Sequence, residues 1–248
     1  MAFSSPKILG FLDLPAEVRL TIYHYLIPTI PIRNFTLIRG RGSKTVALRH
    51  DGERCCPALL RANRQIYNEL VREWYGSAQY EVVLDTKYIM FCGRIIPPYA
   101  PVPSTIRFVH SMKLCVSIQG TPQYIHSHST LEHLLGFQDR LAAIARVLSD
   151  RVRCRLHYLC IEVGVNIPLL LSLCKTPTGM LELLSWNLGP LKFHVRGLEW
   201  VEWELKEQSY GIQSEEFQQS YAELKSIMCG FLDDMRQQMS TPKDDERT

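Results

Sequence analysis

Three groups of residues have the types that could do chemistry. Cys154-x-x-His157-x-x-Cys160 sets thiol and imidazole groups close together, the donors that zinc prefers. A closed zinc site needs four ligands, ordinarily in two clustered pairs, and no second cysteine pair has suitable spacing. On an extended strand, 154 and 160 share one face and 157 points to the other, so core thiols around a strand histidine are expected. His126, His128 and His133 lie near Glu132, two in a polar loop and one on the following helix. A loop without fixed geometry is a poor ligand set, and a plain surface loop is expected. Gly40-Arg-Gly-Ser-Lys44-Thr45 has the residue types of a phosphate-binding loop. That motif places four residues before its Gly-Lys pair and leads into a helix. Here the spacing differs and β-formers follow, which predicts a hairpin turn. No Gly-x-Ser-x-Gly elbow and no paired carboxylates stand out. No catalytic, cofactor or metal residue is assigned, and a Cys–His pair that meets only in space stays open.

Charge is the next candidate for function. Residues 33–64 carry eight Arg/Lys against two acids, a balance of +6, and residues 199–248 carry five against twelve, a balance of −7. Solvated faces are the plain reading. The basic stretch meeting an acidic partner or nucleic acid is the functional alternative, but no stacking aromatics interleave with its charges. A net +3 over 248 residues does not itself argue for nucleic acid, and 46% apolar residues can fill a sizeable core. The first ten residues lack an apolar signal core, and the greasiest window, Tyr158 to Cys174, is interrupted by Glu162, Asn166 and Pro168. No membrane association is expected. Eight cysteines without a framework read as reduced thiols, placing the chain in the cytoplasm, the nucleus or both.

The elements that would position such groups start with a helix over 15–27. Pro15 suits its first turn, Glu17 meets the free amides, and Pro28 ends it. Leu14, Val18, Ile22 and Leu26 repeat every four residues, with Tyr25 beside them and Leu20 and Tyr23 widening the stripe. Pro31–His50 reads as a hairpin of Phe35–Ile38 and Thr45–Leu48 around Gly40–Ser43. One helix is predicted from Ala58 to Tyr75, with Leu59, Asn63, Ile66, Leu70 and Trp74 on its stripe and Gly76 as its stop. Strands follow at Gln79–Leu84 and Tyr88–Phe91. Arg94–Ser104, rich in proline, reads as a sub-domain boundary. Beyond it come a strand in Phe108–Ile118 with Met112, Leu114, Val116 and Ile118 on one face, and a helix from Thr130 to Asp150. Leu131, Leu134, Leu135, Leu141, Ile144 and Leu148 point inward on that helix. Then come a strand in Arg155–Val165 buried on both faces, a short helix Gly179–Trp186, a strand starting at Leu191–Val195, and a helix from Ser214 to Met239. Its inward residues are Phe217, Tyr221, Leu224, Met228, Phe231 and Met235. The alternation implies parallel strands with right-handed crossovers. No internal repeat supports a leucine-rich solenoid. The expected organisation is 1–95, then an α/β part at 105–240 packed with it as one unit, then a frayed 241–248.

Leu12-Asp-Leu-Pro-Ala-Glu-Val-Arg19, followed by Ile22-Tyr23 and Leu26, resembles the opening of an F-box. It is more similar to the start of a large group of uncharacterised fungal F-box-like proteins. Members of that group continue with a second segment, matched here by Leu59-Leu60-Arg61-Ala62-Asn63-Arg64-Gln65-Ile66-Tyr67-Asn68-Glu69 and Trp74-Tyr75. The resemblance covers 11–28 and 58–84. The residue pattern gives a β-hairpin and then alternating strand–helix units forming a helix-covered sheet, an α+β or mixed α/β class, and the resemblance adds an F-box-like first helix. It also implies a non-enzymatic role in protein–protein interaction, as a substrate receptor docked on the Skp-type adaptor of a ubiquitin ligase. Leu12, Leu14 and Pro15 would dock, with Val18, Ile22 and Leu26 shared between docking and core. The rival class is an enzyme or small-molecule-binding α/β domain with a polar pocket at the C-terminal ends of the 108–200 strands. A nucleic-acid-associated protein acting through 33–64 is a further alternative.

Overall fold

The computed structural model describes residues 10–32, 47–97, 100–120, 128–150, 152–174, 176–208 and 215–241. The fold is mixed α and β, a sheet with helices around it. Its strands are β1 (Gln79–Leu84), β2 (Ile89–Phe91), β3 (Arg94–Ile96), β4 (Ser111–Ser117), β5 (Tyr158–Asn166) and β6 (Trp200–Gln208). They lie in the order β3-β2-β1-β4-β5-β6. β1, β4, β5 and β6 are parallel, and β2 and β3 are antiparallel additions at one edge. The sheet therefore runs unbroken across the proline-rich connection.

The parallel strands succeed one another in chain order, so every crossover steps the same way. Crossovers of one hand then bring their helices to one face. Val82, Leu114, Ile161 and Trp203 lie in register on that face, and only Trp203 among them is not fully buried. Three helices pack there: α3 (His128–Ser149), α5 (Pro177–His194) and α6 (Glu215–Ser240). A shorter α4 (Ile167–Leu173) precedes α5. The alternate residues are mostly polar, and β5 shows the contrast. Leu159, Ile161, Val163 and Val165 are all buried, whereas of Tyr158, Cys160, Glu162 and Gly164 on the other side Cys160 alone is. The expectation that β5 is buried on both faces is corrected, because those apolar residues keep strict alternation once Leu156 falls before the strand.

Several other elements differ from expectation. The helix read as Ala58–Tyr75 is a 3-10 turn at Pro57–Arg61 followed by α2 (Arg64–Gly76). Asn63 caps α2, its side chain accepting from the Gln65 N–H at 2.7 Å, rather than lying on the apolar stripe. β3 occupies the start of the proline-rich stretch, joined to β2 by a turn with φ of 52° at Cys92 and 68° at Gly93. Two positive φ values make the turn that matches strand twist. On α3, Leu135 is exposed, and Phe137 and Arg140 point inward. Leu191–Val195 is not a strand, because α5 runs through Pro190 to His194. Proline has no N–H for the Trp186 carbonyl one turn back, and the Gln138 side chain of α3 donates to that carbonyl instead. β6 fills the place of the expected strand. Residues 33–46, with the Gly40–Thr45 turn, and residues 242–248 lie outside the described residues, as does His126.

Candidate docking surface on the first helix

The first helix, α1, spans Ala16–His24 after a short 3-10 turn at Phe11–Asp13. Asp13 closes that turn by accepting the Gly10 N–H at 2.8 Å. Pro15 sits just before the helix, and its carbonyl accepts the Val18 and Arg19 amides. The four-residue periodicity is real, but the inward stripe is shifted by one residue. Arg19, Tyr23, Ile27 and Pro28 are the buried positions.

An arginine can face inward because a carboxylate waits for it on α2. Arg19 Nε donates to Glu69 Oε2 at 3.0 Å and Nη2 to Oε1 at 2.5 Å, a two-pronged pair. The third nitrogen, Nη1, donates to the Leu12 carbonyl at 3.2 Å and to the Leu14 carbonyl. Tyr23 Oη donates to Glu69 Oε2 at 3.1 Å, and Gln65 Nε2 to Oε1 at 3.0 Å. Hydrogen bonding from Arg19 leads in holding the Glu69 pKa down at about 2, against the opposing effect of burial, with help from Gln65 and Tyr23. The two segments that carry the family resemblance thus meet through Arg19, Gln65 and Glu69. Glu69 thus ties α2 to α1, and Arg64 is exposed.

The clamp turns the expected docking residues outward. Leu12, Pro15 and Val18 are exposed, and Leu14, Ile22 and Leu26 are half-buried. Leu20 and Tyr25 extend the apolar surface, Tyr25 at 62% exposure. Beside Leu26 is a hollow of about 430 Å³ lined also by Cys55, Ala58, Leu59, Ala62 and the arginines Arg49 and Arg54.

Other candidate groups are not gathered. Cys154 is buried ahead of β5, His157 is exposed with Nδ1 3.1 Å from Glu199 Oε1, and Cys160 is buried on the polar side of the sheet. His133 is exposed. Among the described residues, no three His, Cys, Asp or Glu side chains are grouped to hold a metal ion. Burial pushes the thiol of Cys160 up to about 11 and that of Cys92 up to about 12, which keeps both protonated and poorly nucleophilic. At the C-terminal ends of β4 and β5, where the rival reading needs polar groups, Ile118, Val165, Leu169 and Leu170 line a small, largely apolar cleft, and Asn166 in its lining accepts the Leu169 N–H. No single described helix is long and apolar enough to cross a membrane.

The polar face of the sheet is a second surface, and β6 completes it. Lys113 Nζ lies 2.9 Å from Glu162 Oε2 and 2.7 Å from Glu204 Oε2, and Lys206 lies 3.5 Å from Glu162. Burial works against the Lys113 charge, but its bonds to Glu204 and Glu162 outweigh it and raise the pKa. Tyr158 donates to Glu202 at 2.6 Å. The alternation of Val201, Trp203 and Leu205 with charged neighbours is the sequence signal for this strand. Comparison with protein-family models, with curated proteins and with solved structures finds no match.

Proposed function

We propose that this chain is a non-enzymatic interaction protein that docks a protein partner through the outward side of α1. The resemblance in the first and second segments makes a Skp-type adaptor of a ubiquitin ligase the partner to test. The observation that carries the reading is the apolar stripe Leu12, Pro15, Val18, which stays exposed while Arg19 and Tyr23 anchor the helix from behind. A stripe used only for folding would be buried under its own domain. The adjoining hollow at Leu26 and Leu59 offers a place for an apolar anchor from the partner.

Co-purification with a Skp-type adaptor tests it. The wild-type chain is expected to form a specific complex, and Val18→Asp to lose it while its circular dichroism and melting curve stay unchanged. Binding by Val18→Asp as strong as wild type, or no complex with the wild-type chain, overturns the adaptor reading. The enzyme alternative gains nothing from the apolar cleft at the strand ends. The nucleic-acid alternative rests on a basic stretch of which four cations, Arg33, Arg39, Arg41 and Lys44, lie outside the described residues.

A further inference from the structure

We propose that β6 pairs with the β6 of a second copy of this chain, antiparallel and centred on Leu205, in a two-fold dimer. β6 is the last strand of the sheet and spans Trp200–Gln208. The Trp200 N–H donates to the His157 carbonyl, so Trp200 and every second residue after it turn their backbone groups toward β5. Val201, Trp203, Leu205 and Glu207 therefore turn their N–H and C=O groups outward. Among the described residues none of these groups is bonded. Such a row is a template for another strand, and a two-fold axis lets the same row serve both copies.

The side chains single out one register. Centred on Leu205, the outward groups of Leu205 meet their own image, and those of Trp203 meet Glu207 of the second copy. On the polar face Glu204 then lies opposite Lys206 on both sides of the axis, and Glu202 lies opposite Gln208. Neighbouring registers lose this match. Centring on Glu204 sets that carboxylate against its own image, and centring on Trp203 sets Glu202 against Glu204. Centring on Lys206 sets two ammonium groups together. Within the chain Glu204 already meets Lys113 at 2.7 Å, and Lys206 lies 3.5 Å from Glu162. Glu204 and Lys206 are nonetheless 57% and 64% exposed, which leaves each room for a second partner. The dimer carries this ladder of opposite charges from one sheet into the next.

The helix above the edge leaves space for the second copy. Lys225 reaches Glu207 at 2.6 Å, and Trp203 donates to Asp233 at 3.1 Å. α6 thus runs antiparallel to β6, and Cys229, midway between those two contacts, is level with Leu205. Ala222, Ser226 and Gly230 form the next row around the helix, turned away from the α5 side, where Phe231 and Asp234 meet Lys192. All three are exposed, and a side chain at Gly230 would meet nothing within 4 Å. Pairing about Leu205 brings this row of small residues toward its own image, where bulkier side chains would collide. The edge is separate from α1, so the dimer stands or falls independently of the adaptor reading.

Sedimentation equilibrium of the whole chain tests the inference, and a dimer that dissociates on dilution is expected. Lys206→Glu sets carboxylates opposite one another, and Glu204→Lys sets ammonium groups opposite one another. Each variant alone should weaken the dimer about tenfold. Mixing the two variants puts opposite charges at both places again and should recover association close to wild type. Leu205→Pro should abolish the dimer, since proline removes an outward N–H that the fold itself does not use. Amide exchange gives a readout without any variant: raising the concentration should protect Trp203, Leu205 and Glu207, and not α1. A wild-type chain that stays monomeric at about 1 mM overturns the inference. So does a mixture that associates no more tightly than either variant alone, or a folded Leu205→Pro chain that still dimerises.

Discussion

Arg19 and Glu69 stand 50 positions apart and meet as a two-pronged pair. Their pairing has a pH signature. The ordinary Glu69 value of 4.5 is depressed to about 2 in the folded chain. A depressed pKa means that the stabilisation is complete above about 4.5 and is lost as pH falls toward about 2. Hydrogen exchange of the α1 amides should therefore quicken between those pH values, before the sheet amides respond. Glu69→Gln should show quick α1 exchange at neutral pH and no further change over that window; an unchanged acid response in this variant contradicts the assignment. Tyr23→Phe removes a bond to a charged acceptor and should cost about 1.5–3 kcal/mol in a urea melt. This clamp also explains what was legible at the residue scale. The four-residue rhythm of α1 was plain, but its inward face held a cation whose partner is far away in sequence. Polarity alone therefore pointed Arg19 outward and drew the core stripe one residue too early.

At the scale of elements, two contacts join helices to what lies beside them. A side chain at Gly76, the last residue of α2, would come within 2.8 Å of the His110 ring. Gly76→Ala should cost about 1–3 kcal/mol by overpacking. His110→Ala in the same chain should recover part of that cost, and strict additivity in the double mutant would rule out the contact as its source. On α5, Gln138→Ala leaves the Trp186 carbonyl without its donor and should cost about 1 kcal/mol. That cost should shrink beside Pro190→Ala, because alanine there supplies the missing N–H. Sequence reading stopped α5 before this proline, since the compensating donor lies on another helix. The Cys92-Gly93 turn escaped for a related reason: cysteine is not the asparagine or aspartate that signals positive φ. β1, β4 and α6 were legible because their apolar residues keep a clean period of their own.

For the whole molecule, the parallel pairing of β1 with β4 joins the parts on either side of the proline-rich connection. Unfolding should then be a single transition, with fluorescence of Trp74, isolated by Phe substitution of Trp186, Trp200 and Trp203, melting together with far-ultraviolet circular dichroism. Separate midpoints would show two independent units. Leu114→Ala, in the centre of the sheet, should lower the stability of both signals equally, by about 2–5 kcal/mol. Strand order itself could not be read from the chain, because alternation tells that a strand has two faces and not which neighbour it takes. The polar face stayed hidden for the same reason: Lys113, Glu162 and Glu204 become neighbours only through register.

The stepwise strand order also makes this architecture extensible. Each parallel strand lies beside its predecessor, with the helices kept to one side. A strand–helix unit grafted after α6 could be laid beside β6 without disturbing any pairing already made. Each such unit would widen the polar face by about 4.8 Å, the spacing of neighbouring strands. The surface is in that sense a ruler whose length is set by how many units the chain supplies.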